Sequence, residues 1–238
     1  MMAAEEAAKG LGHTRPNPAV GAVLVKNDKV IGKGHHRKCG CDHAEVDAIK
    51  NARRRKNDTK GATIYVTLEP CSKPGRVGAC TDAIIAAGIS RVVYAVADPN
   101  PTNRGKAKRA LAKHGIACEK FDPKSLAAYE CDKLIRGFRK HVTTGLPYVT
   151  VKLAMSLDGK ICDDYGDARW ISSAAARKFT GSLRERVDAI MVGAETVRKD
   201  NPSLLSHGQR NDDLVRVIIS KSGNLPKQAQ IFTDGEPN

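Results

Sequence analysis

The sequence predicts an α/β protein built as a three-layer α/β/α sandwich. Two apolar, β-branched runs, at 62–68 and 91–97, have the length and composition of buried strands. Each run is followed by a helical pattern, which begins at Cys80 after the first and near Lys106 after the second. Strands that alternate with helices in this way favour a sheet covered by helices. The 238 residues are enough for one large or two modest domains.

Local signals define the elements of the first part of the chain. Gly10 and Gly12 end an Ala/Glu-rich helix, and Asn27-Asp28 is typical of a hairpin turn. The predicted elements are, in chain order, a helix at 2–9, strands at 19–26 and 29–33, a helix from 43 to about 56, a strand at 62–68, a helix from 80, a strand at 91–97, a helix at 106–113, a strand at 116–118 and one helix at 125–141.

A boundary is predicted at 143–147, after which the pattern of strands and helices restarts. Ser172-Ser173 is typical of a helix cap. The predicted elements of the second part are a strand at 148–155, a turn at 156–160, a helix from 172 to about 186, a strand at 189–192, a helix from 193 and a strand at 215–220. Three strands and two helices give a small core for an independent α/β domain.

One imidazole and two thiols in the first part have the types and order of a catalytic zinc site. His43, Cys71 and Cys80 can fill three positions of a tetrahedral ion and leave the fourth open to water. Glu45, two residues after the histidine, is placed to carry protons. The pattern His-x-Glu followed by Pro-Cys and a second Cys is typical of zinc deaminases. Zinc lowers the pKa of water toward about 7 in such sites, so that hydroxide can attack a ring carbon bearing an amino group.

Other interpretations of these residues stay open. The cluster could be a structural zinc site or two buried thiols, although a closed structural site needs a fourth ligand and would leave Glu45 without a role. Cys39 and Cys41 precede His43 and could be alternative metal ligands or thiols that take no part in the site.

Composition narrows the classes of partner and compartment. A net charge of +14 suits anionic metabolites or nucleic acid, but 4% aromatic residues argue against a surface for stacking bases. Seven irregularly spaced cysteines indicate a reducing cytoplasm. No apolar stretch has the length of a signal segment or a membrane span, so we expect no membrane partner. The oligomeric state stays open between a monomer and a homo-oligomer.

Specific motifs occur along nearly the whole chain. Those of the first part are Pro16-Asn17-Pro18, His36, His43-Ala44-Glu45, Glu69-Pro70-Cys71, Gly75-Arg76, Cys80 and Asp98-Pro99-Asn100-Pro101. Those of the second part are Lys152-Leu153-Ala154, Trp170-Ile171-Ser172, Gly193-Ala194, Thr196-Val197 and Asp200-Asn201-Pro202. In combination they resemble the RibD family of bifunctional riboflavin-biosynthesis proteins, which joins a pyrimidine deaminase to a pyrimidine reductase.

The resemblance implies a zinc-dependent deaminase domain at 1–143 with a cytidine-deaminase-like fold. The reaction would remove the 2-amino group of 2,5-diamino-6-ribosylamino-4(3H)-pyrimidinone 5′-phosphate, a small phosphorylated pyrimidine, and release ammonia. The residues that the resemblance places at this substrate are Asn17, Arg76, Asp98 and Asn100.

For the second part, the resemblance implies an incomplete dihydrofolate-reductase-like α/β domain at 147–238 that uses NADPH to reduce the ribose to ribitol. It places Arg184 and Leu204 at the substrate, and at the cofactor it places Ala154, Trp170, Thr196 and Asp200. The family's reductase continues beyond the last motif found here, so we expect no NADPH oxidation by this chain. Two alternatives remain: a deaminase of bases in RNA or single-stranded DNA, and a non-catalytic basic module that binds zinc.

Overall fold

The computed structural model describes residues 1–73, 78–168, 170–206 and 214–235. The chain folds into two compact units, Met1–Val149 and Thr150–Asn238. The division lies two residues beyond Pro147, where the predicted boundary ends. Among the described residues, no helix combines the length and the apolar character needed to cross a membrane.

The first unit contains a five-stranded mixed sheet. Its elements are, in chain order, α1 (Met2–Ala8), β1 (Gly21–Lys26), β2 (Lys29–His35), α2 (Ala44–Arg54), β3 (Thr63–Leu68), α3 (Cys80–Ala86), β4 (Arg91–Val96), α4 (Lys106–Ala112), β5 (Ala117–Lys120), α5 (Leu126–Leu134) and α6 (Arg136–Thr144). The strands lie in the order β2-β1-β3-β4-β5. Strand β1 is antiparallel to both of its neighbours, whereas β3, β4 and β5 are parallel.

Helices cover both faces of this sheet, which confirms the predicted three-layer arrangement. Helices α2, α3 and α4 pack on one face around a core that includes Leu24, Ile64 and Leu111. Helices α1 and α5 cover the other face, where Val96 and Ile135 are buried. Leu24 and Ile64 point to the same core because they are partners on β1 and β3, and neighbouring residues of a strand alternate between its two faces.

The turn between β1 and β2 confirms the predicted hairpin. Asn27 and Asp28 both have positive φ, at 49° and 57°. Asn and Asp enter the left-handed region more readily than most residues, and two such residues in succession suit the twist of paired antiparallel strands. Lys26 and Lys29 are accordingly partners at the end of the hairpin.

Helix α2 lies very close to β2 because β2 has a glycine where the helix crosses it. A Cβ atom on Gly34 would lie 2.2 Å from Ala48 N and 2.6 Å from Ala44 O. These are backbone atoms, which cannot rotate away as the end of a side chain can. Since α2 starts directly after His43 and contains Glu45, this contact also fixes the position of two predicted site residues.

Gly34→Ala is therefore expected to destabilise the first unit by about 3 kcal/mol or more, at the upper end of the usual cost of overpacking. Chemical denaturation measures this change. Gly137→Ala in α6 is the control, because a Cβ there meets no heavy atom within 4 Å. Alanine in a helix interior should be neutral or stabilising by up to about 1 kcal/mol. Equal stability of the two variants would contradict the close contact of α2 with β2.

The prediction of one helix at 125–141 is wrong, because the structure has two helices that meet at Ile135. Ile135 has φ −110° and ψ 11°, and its N–H donates to Asp132 O, three residues back. Its side chain is fully buried in the core beneath α5. The tighter turn inserts Ile135 into that core and redirects the chain, so packing prevails over helical continuity.

The second unit has two parallel strands among its described residues. Its elements are α7 (Ala174–Arg184), β6 (Ala189–Gly193), α8 (Ala194–Asp200), β7 (Val215–Ile219) and α9 (Gln230–Thr233). Its small core consists of Val197, Leu204, Ala229 and Ile231. The single-turn helix α9 was not predicted, because four residues are too few to show a helical period.

The predicted strand at 148–155 is wrong. These residues have no strand pairing, and Val149, Val151 and Leu153 are 74%, 76% and 66% exposed. A strand satisfies its backbone groups through a neighbouring strand, and no described strand pairs with this segment. The apolar pattern shows a preference for a strand, but it cannot supply the partner.

Candidate metal centre

Three elements of the first unit bring His43, Cys71 and Cys80 to one edge of the sheet. His43 directly precedes α2, Cys71 follows the carboxyl end of β3, and Cys80 is the first residue of α3. The carboxyl ends of parallel strands are where α/β sheets bind their ligands. The N-termini of α2 and α3 also lie here, and their partial positive charge favours thiolates.

The ligand atoms of these residues are close enough to share one ion. His43 Nδ1 lies 3.2 Å from Cys80 Sγ and 3.5 Å from Cys71 Sγ. All three atoms lie within 4.8 Å of one another. Ligand atoms placed about 2.0–2.3 Å from a tetrahedral zinc ion are separated by roughly 3.5–3.8 Å. The spacing and the combination of one nitrogen with two sulfurs therefore fit zinc.

Cys71 is the thiol that ionises more easily. Its pKa is lowered, first by the hydrogen bond from the Cys80 thiol and then by His43. The backbone N–H of Cys80 also donates to Cys71 Sγ, at 3.3 Å. The pKa of Cys80 is raised, because its proton is engaged with Cys71 and because the thiol is buried. Because metal ligands bind as thiolates, cation binding here would be coupled to the loss of the Cys80 proton.

Glu45 lies in the first turn of α2, beside the two sulfurs. It is only 3% exposed. Burial raises the pKa of Glu45 to about 7, and the charge of Cys71 adds to the shift. The carboxyl group also forms a hydrogen bond with Cys80. A carboxyl group with this environment can exchange a proton near neutral pH, as general acid–base chemistry requires.

A second histidine supports the imidazole side of the cluster. The rings of His36 and His43 meet edge-on, with centroids 5.1 Å apart. His36 Nδ1 lies 3.0 Å from Asp42 O, and its Nε2 lies 3.0 Å from Asn17 Nδ2. A neutral ring with its proton on Nδ1 satisfies both contacts, since it donates to the carbonyl and accepts from the amide. The predicted substrate residue Asn17 is therefore held beside the metal centre in one amide orientation.

Asp98 and Asn100, two further predicted substrate residues, lie in the loop after β4. Asp98 Oδ1 accepts the Asn100 N–H at 2.8 Å, and its Oδ2 accepts from Asn103 Nδ2 at 2.8 Å. Asn100 Oδ1 accepts from the N–H and the hydroxyl of Thr102, at 3.0 and 2.9 Å. The oxygens of both side chains thus shape their own loop, and their contact with a substrate stays a prediction.

Two buried polar residues of this region were not predicted. Asn103 joins Asp98 to Ser72, and Glu69 Oε2 accepts the Asp98 N–H at 3.2 Å. Glu69 directly follows the carboxyl end of β3, and Asn103 lies in the loop that joins β4 to α4. Polar residues at strand ends are frequently functional, and this was the available signal.

The structure does not test every residue that the sequence predicted for the first unit. Arg76 lies outside the described residues. Within the part of the chain that the structure describes, the group able to hold a metal consists of His43, Cys71 and Cys80. Cys39 and Cys41 are not members of it, and Cys41 is exposed.

In the second unit, the predicted cofactor residues occupy different settings. Thr196 and Asp200 are four residues apart on α8 and share one face of it. Trp170 is exposed, lies beneath the Arg177 guanidinium at 4.2 Å and lines a cavity of about 340 Å³. Ala154 is half-buried and lies in an irregular segment, two residues before Ser156, which lines the same cavity.

The predicted substrate residues of the second unit meet at the loop after α8. Arg184 Nη1 donates to Leu205 O at 2.8 Å, while its Nε is buried and has no partner among the described residues. Leu204 has a φ of +60°, which is uncommon for a residue other than glycine. Its side chain is buried in the core, so a contact with a ligand would have to involve its backbone.

Two family models match this chain. Residues 1–96 match the cytidine and deoxycytidylate deaminase zinc-binding region, and residues 147–238 match the RibD C-terminal domain. His43, Cys71 and Cys80 all lie within the first match. The chain is therefore of the class of proteins in which a deaminase-type zinc-binding region is joined to a RibD-type C-terminal domain.

Individual proteins agree with both matches. The chain is 43% identical to the riboflavin biosynthesis protein RibD of Bacillus amyloliquefaciens, over 98% of this chain and 61% of that protein. Identity to RibD of Aquifex aeolicus is 41%, over 97% of this chain and 63% of that protein. A diaminohydroxyphosphoribosylaminopyrimidine deaminase/5-amino-6-(5-phosphoribosylamino)uracil reductase from Thermotoga maritima has a similar crystal structure, with a TM-score of 0.89 at 40% identity, covering 98% of this chain and 66% of that one. The chain belongs to the RibD family.

The predicted fold class and the predicted family are thereby confirmed. The chain spans about three fifths of the length of the curated relatives that it matches.

Proposed function

We propose that the first unit is a zinc-dependent deaminase of riboflavin biosynthesis. The proposed substrate is 2,5-diamino-6-ribosylamino-4(3H)-pyrimidinone 5′-phosphate. The observation that carries this proposal is the convergence of the His43, Cys71 and Cys80 ligand atoms within 4.8 Å, next to the buried Glu45. The substrate class is supported by the Thermotoga maritima relative, whose name describes a deaminase of such a pyrimidine.

The proposed mechanism divides the chemistry between the ion and Glu45. His43, Cys71 and Cys80 would hold zinc, which when bound supplies a nucleophile from water near neutral pH. Glu45 accepts the proton of the attacking water and passes a proton to the departing amino nitrogen. A C2–O bond forms and the C2–N bond breaks, so that one water is consumed and one ammonia leaves. Burial of Glu45 keeps this proton exchange away from bulk solvent.

Side chains around the cluster are proposed to orient the pyrimidine. Asn17 donates through Nδ2 to His36, which leaves its Oδ1 to accept from a substrate N–H. Arg76 is proposed to bind the phosphate, because a guanidinium matches phosphate geometry. Asp98 and Asn100 complete the proposed contacts from the loop after β4.

For the second unit, we propose part of an NADPH-dependent reductase that acts on the deaminated product. The match of residues 147–238 to the RibD C-terminal domain supports this role. Arg184 retains an unused buried donor, which suits an anionic ligand. The residues proposed for the cofactor are Ala154, Trp170, Thr196 and Asp200, and those proposed for the substrate are Arg184 and Leu204.

The proposed compartment is the cytoplasm. Two of the three proposed zinc ligands are thiols, and a reducing environment keeps them available for the metal. The homo-oligomer that the sequence left open stays a prediction, which sedimentation of the zinc-loaded chain would check.

The deaminase proposal is tested by measuring ammonia release from the zinc-loaded chain. We expect release from the diaminopyrimidine ribosyl phosphate, loss of release after zinc is removed with a chelator, and recovery when zinc returns. Parallel reactions contain cytidine, deoxycytidylate, RNA and single-stranded DNA. Ammonia from a nucleic acid in preference to the diaminopyrimidine would contradict the proposed substrate. Tight zinc binding with no release from any of these compounds would favour a non-catalytic module.

A further inference from the structure

Asn103 connects the two strand-end loops that flank the metal centre. Its Oδ1 accepts the Ser72 N–H at 2.9 Å and the Ser72 hydroxyl at 3.2 Å. Its Nδ2 donates to Asp98 Oδ2 at 2.8 Å and to Pro70 O at 3.4 Å. The residue is 8% exposed. A carboxamide offers two donor hydrogens and two acceptor lone pairs, and all four are used here.

These partners permit a single orientation of the Asn103 amide. The Ser72 N–H can only donate and therefore requires the amide oxygen. The Pro70 carbonyl can only accept and therefore requires the amide nitrogen, which also donates to Asp98 Oδ2. If the amide turned over, it would place two donors against each other at Ser72 and two acceptors against each other at Pro70. The arrangement is thus specific for a side chain that accepts on one side and donates on the other.

Cys71 lies between the two residues that Asn103 holds. The Asn103 amide donates to the Pro70 carbonyl and accepts the Ser72 N–H. Between these two residues, the Cys71 carbonyl accepts the Thr81 N–H at 3.1 Å. The position of the Cys71 sulfur relative to His43 and Cys80 therefore depends on the Asn103 amide. Groups placed behind metal ligands commonly set ligand orientation in this way.

We propose that Asn103 is a positioning residue for the metal centre, which holds Cys71 where zinc requires it and ties this loop to Asp98. The inference rests on the proposed zinc function of the first unit. Because Asp98 belongs to the loop proposed to contact the substrate, the same amide fixes the metal loop and the substrate loop relative to each other.

The test exchanges the donor and the acceptor of the Asn103–Asp98 pair and measures zinc affinity by competition with a chelator. Asn103→Asp places two carboxylates in contact, and we expect zinc affinity to fall about 10–100-fold, the usual cost of losing a group behind a metal ligand. In the double variant Asp98→Asn/Asn103→Asp, the amide at position 98 donates to the carboxylate at position 103, which still accepts from Ser72. We expect the double variant to recover part of the lost affinity, because the carboxylate at position 103 cannot donate to Pro70 O as the Asn103 amide does.

Asn57→Leu is the matched control for general destabilisation. Asn57 Nδ2 donates to Ile31 O at 2.8 Å, and neither residue belongs to the metal centre. We expect this variant to lose stability and to keep its zinc affinity. Unchanged zinc affinity in Asn103→Asp, or no recovery in the double variant, would overturn the inference. His43→Ala separates the two proposals, since zinc affinity that survived this change as well would instead refute the proposed metal site.

Discussion

Replacing Glu45 by glutamine is expected to lower ammonia release about 10²–10⁴-fold, the usual contribution of a positioned general acid–base. Zinc content should stay at the wild-type level, because the proposed ligands are His43, Cys71 and Cys80. The measurements are the rate of ammonia release at saturating substrate and the zinc content of the purified variant. Glutamine has nearly the size of glutamate, so the buried site should keep its packing.

The expectation depends on where Glu45 lies. Its carboxyl group is buried beside both sulfurs, so bulk water cannot readily replace it as a proton carrier. The described cluster itself consists of one histidine and two cysteines, so it offers no second carboxylate for this role. Glutamine can donate and accept hydrogen bonds but cannot take up a proton at neutral pH. The loss should therefore appear in the rate at saturating substrate rather than in the substrate concentration needed for half-saturation.

Asp47→Asn provides a matched control on the same helix. Asp47 is also buried, but its Oδ2 accepts the His35 N–H at 3.2 Å and pairs with Arg37 at 3.3 Å, away from the sulfurs. We expect this variant to retain most of the activity. Equal losses of activity in the two variants would indicate that the substitutions damage α2 and would contradict a loss of proton transfer. Full activity of Glu45→Gln would refute the role assigned to Glu45.

The metal cluster could be predicted from the sequence because its ligands are rare residue types in a fixed order. The pattern His-x-Glu, Pro-Cys and a second Cys was sufficient to single out His43, Cys71 and Cys80, and the structure shows that they meet at the carboxyl edge of one sheet. The hairpin was equally accessible, since Asn27-Asp28 is a local signal that needs no tertiary information.

The groups that support the ligands were harder to predict. Asn103 lies 32 residues after Cys71, and its role exists only because β3 and β4 are neighbours, which brings their loops together. His36 acquires its role from contacts with Asn17 and Asp42 on different loops. Asparagine and histidine are common in loops for many reasons, so residue type alone does not single these two out.

The errors in secondary structure have the same tertiary origin. The residues at 148–155 have the composition of a strand, but a strand forms only beside a partner, and the described chain offers none. At Ile135 the helical period continues through the sequence, yet the chain turns there because the side chain enters the core. Both outcomes were decided by packing between distant segments rather than by local preference.

Cys80→Ser is expected to weaken zinc binding by more than the 10–100-fold that is typical of a residue behind the ligands, since it removes a proposed direct ligand. Cys80 is the first residue of α3, and its sulfur lies 3.2 Å from His43 Nδ1. Serine keeps the approximate shape but has no ionisable thiol, so the metal loses a charged donor.

The control is Cys39→Ser/Cys41→Ser, which should still bind one zinc per chain, because neither residue belongs to the described cluster. The measurement is stability against zinc concentration: at about 1,000 times its Kd, zinc should stabilise the control by about 4 kcal/mol. The Cys80 variant should show almost none of this gain over the same range, and a full gain would exclude Cys80 as a ligand.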